Sequence, residues 1–257
     1  LQFFYILIRN RYQIIHVNPS LDKRSFYRDS VFLIIAKILN RKTLVFFRGW
    51  LDSFESQIKT SRFKSFLFRN SYARANKYIV LSSLFKKKLI DLGVPATTDF
   101  FIETTVADSG FLTELNLEKK LHFFKTKKNF LFLARIEKEK GVYIAIDAYS
   151  EFSKEHPQIE SSLIIAGDGP ELSAVKEYVT LKNIPGIIFT GYVKGEMKKD
   201  LLLSSHIMLF PTYYGEGLPN SILEGMLYAM PVISRSIAGI PDVVINEENG
   251  YLSDSLQ

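Results

Sequence analysis

Short β-branched and aromatic runs alternate along this chain with longer stretches whose apolar residues recur every three or four positions, the rhythm of βαβ units around a parallel sheet. In the first part the pattern predicts strands at 13–17, 43–47, 77–81 and 99–103. Helices are predicted at 27–39, 57–75 and 83–92, the last stopped by Gly93 and Pro95. Between 107 and 128 (ADSGFLTELNLEKKLHFFKTKK) the strand rhythm is lost, and this mixed polar stretch reads as a linker. The alternation then restarts, with strands at 129–134, 162–167, 186–191, 207–210, 231–234 and 250–252 and helices at 142–156, 171–182, 194–204 and 220–229. The reading is an α/β chain of two parallel-sheet domains, 1–108 and 129–257, joined by 109–128, with no internal repeat and no low-complexity segment.

Charge separates the two halves. Residues 1–110 carry 18 Lys and Arg against 8 Asp and Glu, whereas residues 111–257 carry 15 against 19. The first part therefore suits an anionic partner such as phospholipid or a polyphosphate carrier. In KTSRFKSFLFRNSYAR (59–74), Phe63, Phe66 and Leu67 fall on one helical face with Arg62, Lys64, Arg69 and Arg74 around it. That stretch is either a core-facing amphipathic helix with a solvated basic side or a face that docks on an anionic membrane surface. No nucleic-acid-binding motif accompanies the charge, so nucleic acid is not an expected partner.

With 257 residues and 47% apolar content the chain can fill a sizeable core. The absence of cysteine excludes disulfides and thiolate metal sites and agrees with a cytoplasmic setting, peripheral on the inner membrane face at most. His16, His122, His156 and His206 show no metal-ligand spacing; His16, inside an apolar run, reads as a core or strand-end histidine. The closest approach to a membrane span, Val31 to Leu39, is interrupted by Lys37 and far too short. The chain starts at Leu1 inside an apolar run, with no cleavage pattern after it, and stops at Gln257 just after a strand, so it reads as an internal piece of a longer protein.

Three loops carry candidate chemistry. In FLFLARIEKEKG (130–141) a strand delivers Arg135 and Lys140 into a loop, and Gly141 opens a helix. Two cations and the free N–H groups of a helix start suit a phosphate at the carboxyl edge of a sheet, although the same residues would also make an ordinary charged loop. In IIAGDGP (164–170), Gly167 and Gly169 allow a tight turn, and the backbone around Asp168 is a better ligand contact than its carboxylate. In FPTYYGEGLPNSILEGMLYAMPVIS (210–234), Glu216 lies on a glycine-flanked loop, Asn220 and Ser221 begin a helix, and Glu224 follows Glu216 by eight positions. Carboxylates there could hold sugar hydroxyls while amides and cations hold a diphosphate.

Taken together and in order, ARIEKEKG, AGDGP, the GYV segment at 191–193, EGLPNSILE, AMPVIS, AGIPDVV and NGYL make 130–252 resemble the donor domain of the retaining GT-B glycosyltransferases of family four, the glycosyl transferases group 1. The resemblance implies two Rossmann-like domains and a hexosyltransferase that uses a nucleotide-diphosphate sugar and a saccharide or lipid-linked acceptor, in polysaccharide or glycoconjugate synthesis. It implies that Arg135 and Lys140 neutralise the diphosphate, Glu224 binds the ribose, Glu216 contacts the transferred sugar, and Gly167, Gly169, Gly217, Leu218 and Asn220 lie along the donor. It implies neither a metal nor a protein nucleophile, since cations and helix dipoles do the electrostatic work and same-face attack retains configuration.

Residues 1–108 resemble the later part of the acceptor domain, incomplete at its start, and the helix that normally closes the family's chain lies beyond Gln257. After the TLVFF strand, where many members have a histidine, Arg48, Gly49 and Trp50 stand instead, leaving Arg48 and Asp52 as acceptor-side candidates. Two other readings stay open: a noncatalytic nucleotide- or polyanion-binding module of this fold, and a nucleotide-sugar epimerase.

Overall fold

The computed structural model describes residues 2–10, 12–103, 107, 120–122, 127–214 and 217–253. It divides into two compact units, Leu1–Thr105 with Gly215–Leu218, and Val106–Tyr214 with Pro219–Gln257.

The first unit runs α1 (Gln2–Arg9), β1 (Ile14–Val17), β2 (Ser20–Leu21), α2 (Lys23–Ile38), β3 (Lys42–Phe47), β4 (Gly49–Trp50), α3 (Asp52–Thr60), α4 (Arg62–Asn70), β5 (Lys77–Val80), α5 (Ser83–Asp91) and β6 (Asp99–Ile102). Its main sheet has the order β1-β3-β5-β6 with every neighbouring pair parallel, and β2 pairs with β4. Strand β3 buries every second residue, Thr43, Val45 and Phe47, as a half-covered strand should. Phe26, Phe68 and Tyr72 stack beneath the sheet at 5.5–5.7 Å between rings.

Local chemistry sets the helix ends. Asp22 caps α2 by accepting from the Arg24 and Ser25 amides at 2.8 and 3.0 Å, which starts that helix four residues earlier than the apolar pattern suggests. Asn40, with φ of 50°, ends it in the left-handed region, and the Arg41 amide returns to the Ala36 carbonyl at 2.8 Å. The single helix expected over 57–75 is instead two helices and a 3₁₀ turn. Ser61 closes α3 and caps α4, its hydroxyl accepting from the Lys64 amide. With that break the core face of α4 is set by Phe68, fully buried, while Phe63 and Phe66 are 64% and 66% exposed. The core-facing reading of those two phenylalanines is therefore corrected. His16 also points outward on the edge strand β1, between buried Ile15 and Val17, rather than into the core.

The second unit runs β7 (Lys128–Leu133), α6 (Val142–Glu155), β8 (Ser161–Ala166), α7 (Leu172–Leu181), β9 (Ile187–Gly191), α8 (Gly195–Ser204), β10 (Ile207–Phe210), α9 (Asn220–Leu227), β11 (Val232–Ser234) and β12 (Gly250–Leu252). Its sheet is entirely parallel, in the order β12-β11-β10-β7-β8-β9. The first strand of the unit is thus central and the chain winds outward from it in both directions, so strand order reverses between β7 and β10.

Before β7, Lys120 is buried, and its ammonium donates to the carbonyls of Leu202 and Ser205 at the end of α8, at 3.1 and 2.8 Å. Burial pulls this amine down to about 8. Close by, His206 and Asn129 join the starts of β10 and β7 reciprocally: the His206 amide donates to the Asn129 carbonyl at 2.8 Å, and the Asn129 amide donates to His206 Nδ1 at 3.0 Å. Nδ1 must be unprotonated to accept. Burial first, then the charges of Lys120 and Lys128, hold the imidazole down at about 4.

A group that is neutral when folded and whose pKa lies below its ordinary 6.5 binds fewer protons folded than unfolded. Its contribution is complete above pH 6.5 and is lost as pH falls towards 4. We expect the protein to lose about 2 kcal/mol from this residue between pH 7.5 and pH 5, and His206→Gln to lose less over the same interval. Urea denaturation at both pH values checks it; equal losses in the two proteins would refute the assignment.

Candidate active site

Three loops leave the carboxyl ends of β7, β8 and β10 and are locked to one another through backbone atoms. After β7, Ile136 is wholly buried, which turns its neighbours Arg135 and Glu137 away from the core. The Ile136 amide donates to the Asp168 carbonyl at 2.9 Å, and the Ile136 carbonyl accepts from the Glu171 amide at 3.1 Å, tying this loop to the turn after β8. That turn can pass so close only because it is glycine. A methyl at Gly167, whose φ is 147°, would lie 1.8 Å from the Ala134 carbonyl oxygen, and one at Gly169 would lie 2.5 Å from the Ile136 carbonyl oxygen.

On the other side, the Glu139 carbonyl accepts from the Tyr213 amide at 3.0 Å and from the Thr212 hydroxyl at 3.1 Å. Gly141, left-handed at φ 82°, opens α6 without any side-chain cap and packs against the Pro211 carbonyl. The start of α9 also lacks a side-chain cap, with Pro219 before it. Two helix starts without side-chain caps thus flank the reversal of strand order.

The side chains follow from this frame. Arg135 is 74% exposed and pairs with Glu137 at 2.5 Å. Lys140 is half-buried, with its ammonium 4.8 Å from the centre of the Tyr214 ring. Burial lowers its pKa and Arg135 adds to that, while Glu137 opposes both. Glu224, in the middle of α9, is largely covered and pairs with Lys198 of α8 at 2.5 Å. The Asp168 carboxylate accepts from the Gly169 amide at 2.7 Å.

Of the residues singled out from sequence, Arg135, Lys140, Gly167, Gly169, Asn220 and Glu224 all lie on loops or helix turns that follow β7, β8 and β10. Glu216 lies outside the described residues, and Gly217 and Leu218 group with the first unit. In that unit, Arg48 is exposed beside the Phe46 ring at 5.1 Å. Asp52 is engaged by Lys88 in an ion-pair network that continues to Glu55, whose carboxylate also takes the Trp50 indole at 2.7 Å and Lys59 at 2.5 Å. Sequence reasoning missed Lys198, Tyr214 and Glu137. Lys198 lies 26 positions from Glu224, a separation that no spacing rule flags; Tyr214 could have been noticed as an aromatic beside the glycine-flanked loop.

Two α/β units of this kind, each built on a parallel sheet, are the architecture of the GT-B glycosyltransferases. The chain belongs to the glycosyl transferases group 1 family, whose sequence model matches residues 114–256. It is 33% identical over 129 residues to an uncharacterized glycosyltransferase of Methanocaldococcus jannaschii, a match covering 50% of this chain and 33% of that protein. It is 25% identical over 223 residues to the amylovoran biosynthesis glycosyltransferase AmsK of Erwinia amylovora, covering 84% of this chain and 52% of that one. The chain therefore spans between a third and about half of these relatives. Among solved structures it is similar to Anabaena HepE in complex with UDP, with a TM-score of 0.72, 20% identity, and coverage of 97% of this chain and 66% of the other.

Proposed function

We propose that the protein containing this chain transfers a hexose from a nucleotide-diphosphate sugar to a saccharide or lipid-linked acceptor, with retention and without a metal, in polysaccharide or glycoconjugate synthesis. The observation that carries the reading is the backbone lock between the loops after β7, β8 and β10. It holds the loop that carries Arg135 and Lys140 at the uncapped start of α6 and against the loop that leads to α9, positive potential suited to a diphosphate leaving group. In this reading the diphosphate displaces Glu137 from Arg135 and supplies the counter-charge that half-buried Lys140 otherwise takes from Glu137. Glu224 takes the ribose hydroxyls and Glu216 the sugar. Gly167, Gly169, Gly217, Leu218 and Asn220 line the donor, and Arg48 and Asp52 serve the acceptor. Relatives named for polysaccharide synthesis and a structural neighbour that binds UDP support it.

The test is a screen of uridine, guanosine and adenosine diphosphate sugars by calorimetry in chelator, followed by NMR of the product's anomeric centre. Binding and a retained anomer are expected. An inverted product, a strict need for a divalent cation, or isomerised free sugar would each overturn the corresponding part.

Exposed Phe63 and Phe66 among Arg62, Lys64 and Arg69 favour a peripheral contact with an anionic membrane surface. No described helix is long and apolar enough to cross one. Flotation with phosphatidylglycerol vesicles, lost in the Phe63→Ser, Phe66→Ser double variant, is the expected result; unchanged flotation would remove the proposal.

A further inference from the structure

The first unit holds a second gathering of cations, at the amino-terminal edge of its sheet. A cavity of about 180 Å³ is lined by Lys37 from the last turn of α2, by Arg41 and Thr43 at the start of β3, and by Arg74 and Asn76 just before β5. Among the described residues none of the three cations has an acidic partner. The Nε of Arg41 is buried and has no hydrogen-bond partner there, a costly arrangement for a charged donor. Asn76 adds to the donors. Its amide oxygen is taken by the Thr43 amide at 2.8 Å and the Thr43 hydroxyl at 3.2 Å, so what it offers a ligand is its NH₂ group.

Compensation of the α2 carboxyl terminus accounts for a cation at Lys37. It does not account for Arg74, which comes from a different part of the chain, nor for a buried guanidinium nitrogen. We propose that this cavity binds a phosphate group. Two guanidinium groups and an ammonium lining one cavity without a carboxylate suit a doubly charged tetrahedral oxyanion better than a monovalent carboxylate. The site lies at the opposite edge of its sheet from the carboxyl ends, where open α/β sheets take substrates, so it would be an accessory site rather than the acceptor's. The phosphate could be a soluble ester or a phospholipid headgroup, and the experiment separates them.

Thermal unfolding of the intact protein is followed in 20 mM inorganic phosphate and in sodium chloride of equal ionic strength. Phosphate is expected to raise the midpoint by a few degrees, on the order of 2–5 °C for a site of millimolar affinity. The rise should persist in Lys140→Ala and vanish in Arg41→Gln and Arg74→Gln. Arg74 is exposed, so its variant decides even if Arg41→Gln unfolds. No rise over chloride, a rise that persists in Arg74→Gln, or one that Lys140→Ala abolishes would overturn the proposal. If Arg74→Gln also loses flotation with phosphatidylglycerol vesicles, the phosphate is a headgroup; if it floats like the parent while losing the phosphate effect, the ligand is soluble.

Discussion

Gly167→Ala is expected to destabilise the second unit by about 3–5 kcal/mol, lowering the melting midpoint by on the order of 10 °C, and to abolish nucleotide binding. The added methyl would lie 1.8 Å from the Ala134 carbonyl oxygen, a backbone atom that cannot swing aside, and φ of 147° is strained for any residue with a Cβ. Relief requires separating the turn after β8 from the loop after β7, which breaks the Ile136–Asp168 and Glu171–Ile136 bonds and moves Arg135 and Lys140 with them. Gly191→Ala is the control. Its φ of 70° brings a strain of about 1–2 kcal/mol, but nothing lies within 4 Å of the new methyl, so binding should survive. If both variants lose the same stability and Gly167→Ala still binds donor, the loop lock is not what holds the site.

Glu224→Ala is expected to weaken nucleotide-sugar binding by at least about 100-fold, since in the proposed role its carboxylate accepts two ribose hydroxyls and each charged hydrogen bond contributes about 1.5–3 kcal/mol. The Lys198 ion pair makes this test sharper. If Glu224 mattered only as the partner that joins α8 to α9, Lys198→Ala would reproduce the loss. We expect Lys198→Ala to bind within about threefold of the parent, because both partners keep some access to solvent and the pair itself contributes no more than about 1 kcal/mol. Calorimetry on the two variants decides. Equal losses would reassign Glu224 to a structural role.

Most of the second unit was legible because its strands are short, apolar and bounded by Gly, Pro or Asn: Ile207–Phe210 and Gly250–Leu252 stand where the pattern puts them. The misreadings have local causes. A single serine, Ser61, divided a stretch whose apolar periodicity runs on through it, and with it went the face assigned to Phe63 and Phe66. The pattern assigns no element to the apolar start, yet Gln2–Arg9 form α1, where Phe3 meets Phe32 at 4.4 Å between rings, a tertiary contact that no local rule contains. Two-residue strands such as β2 and β4 are too short to carry any alternation. The charged candidates were visible because loop position after a strand is readable; Glu137, the partner of Arg135, and Lys198, the partner of Glu224, were not, because side-chain pairing depends on rotamers and on helices brought together only by folding.

The central place of β7 bears on how the chain assembles. Strands β7, β8 and β9 follow one another directly and can pair as they leave the ribosome, whereas β10, which covers the other side of β7, comes more than seventy residues later. Until then one edge of β7 keeps its backbone groups unpaired, and a chain that ends before Ile207 should be captured by holdase chaperones, whereas one that extends past Ser234 should escape them.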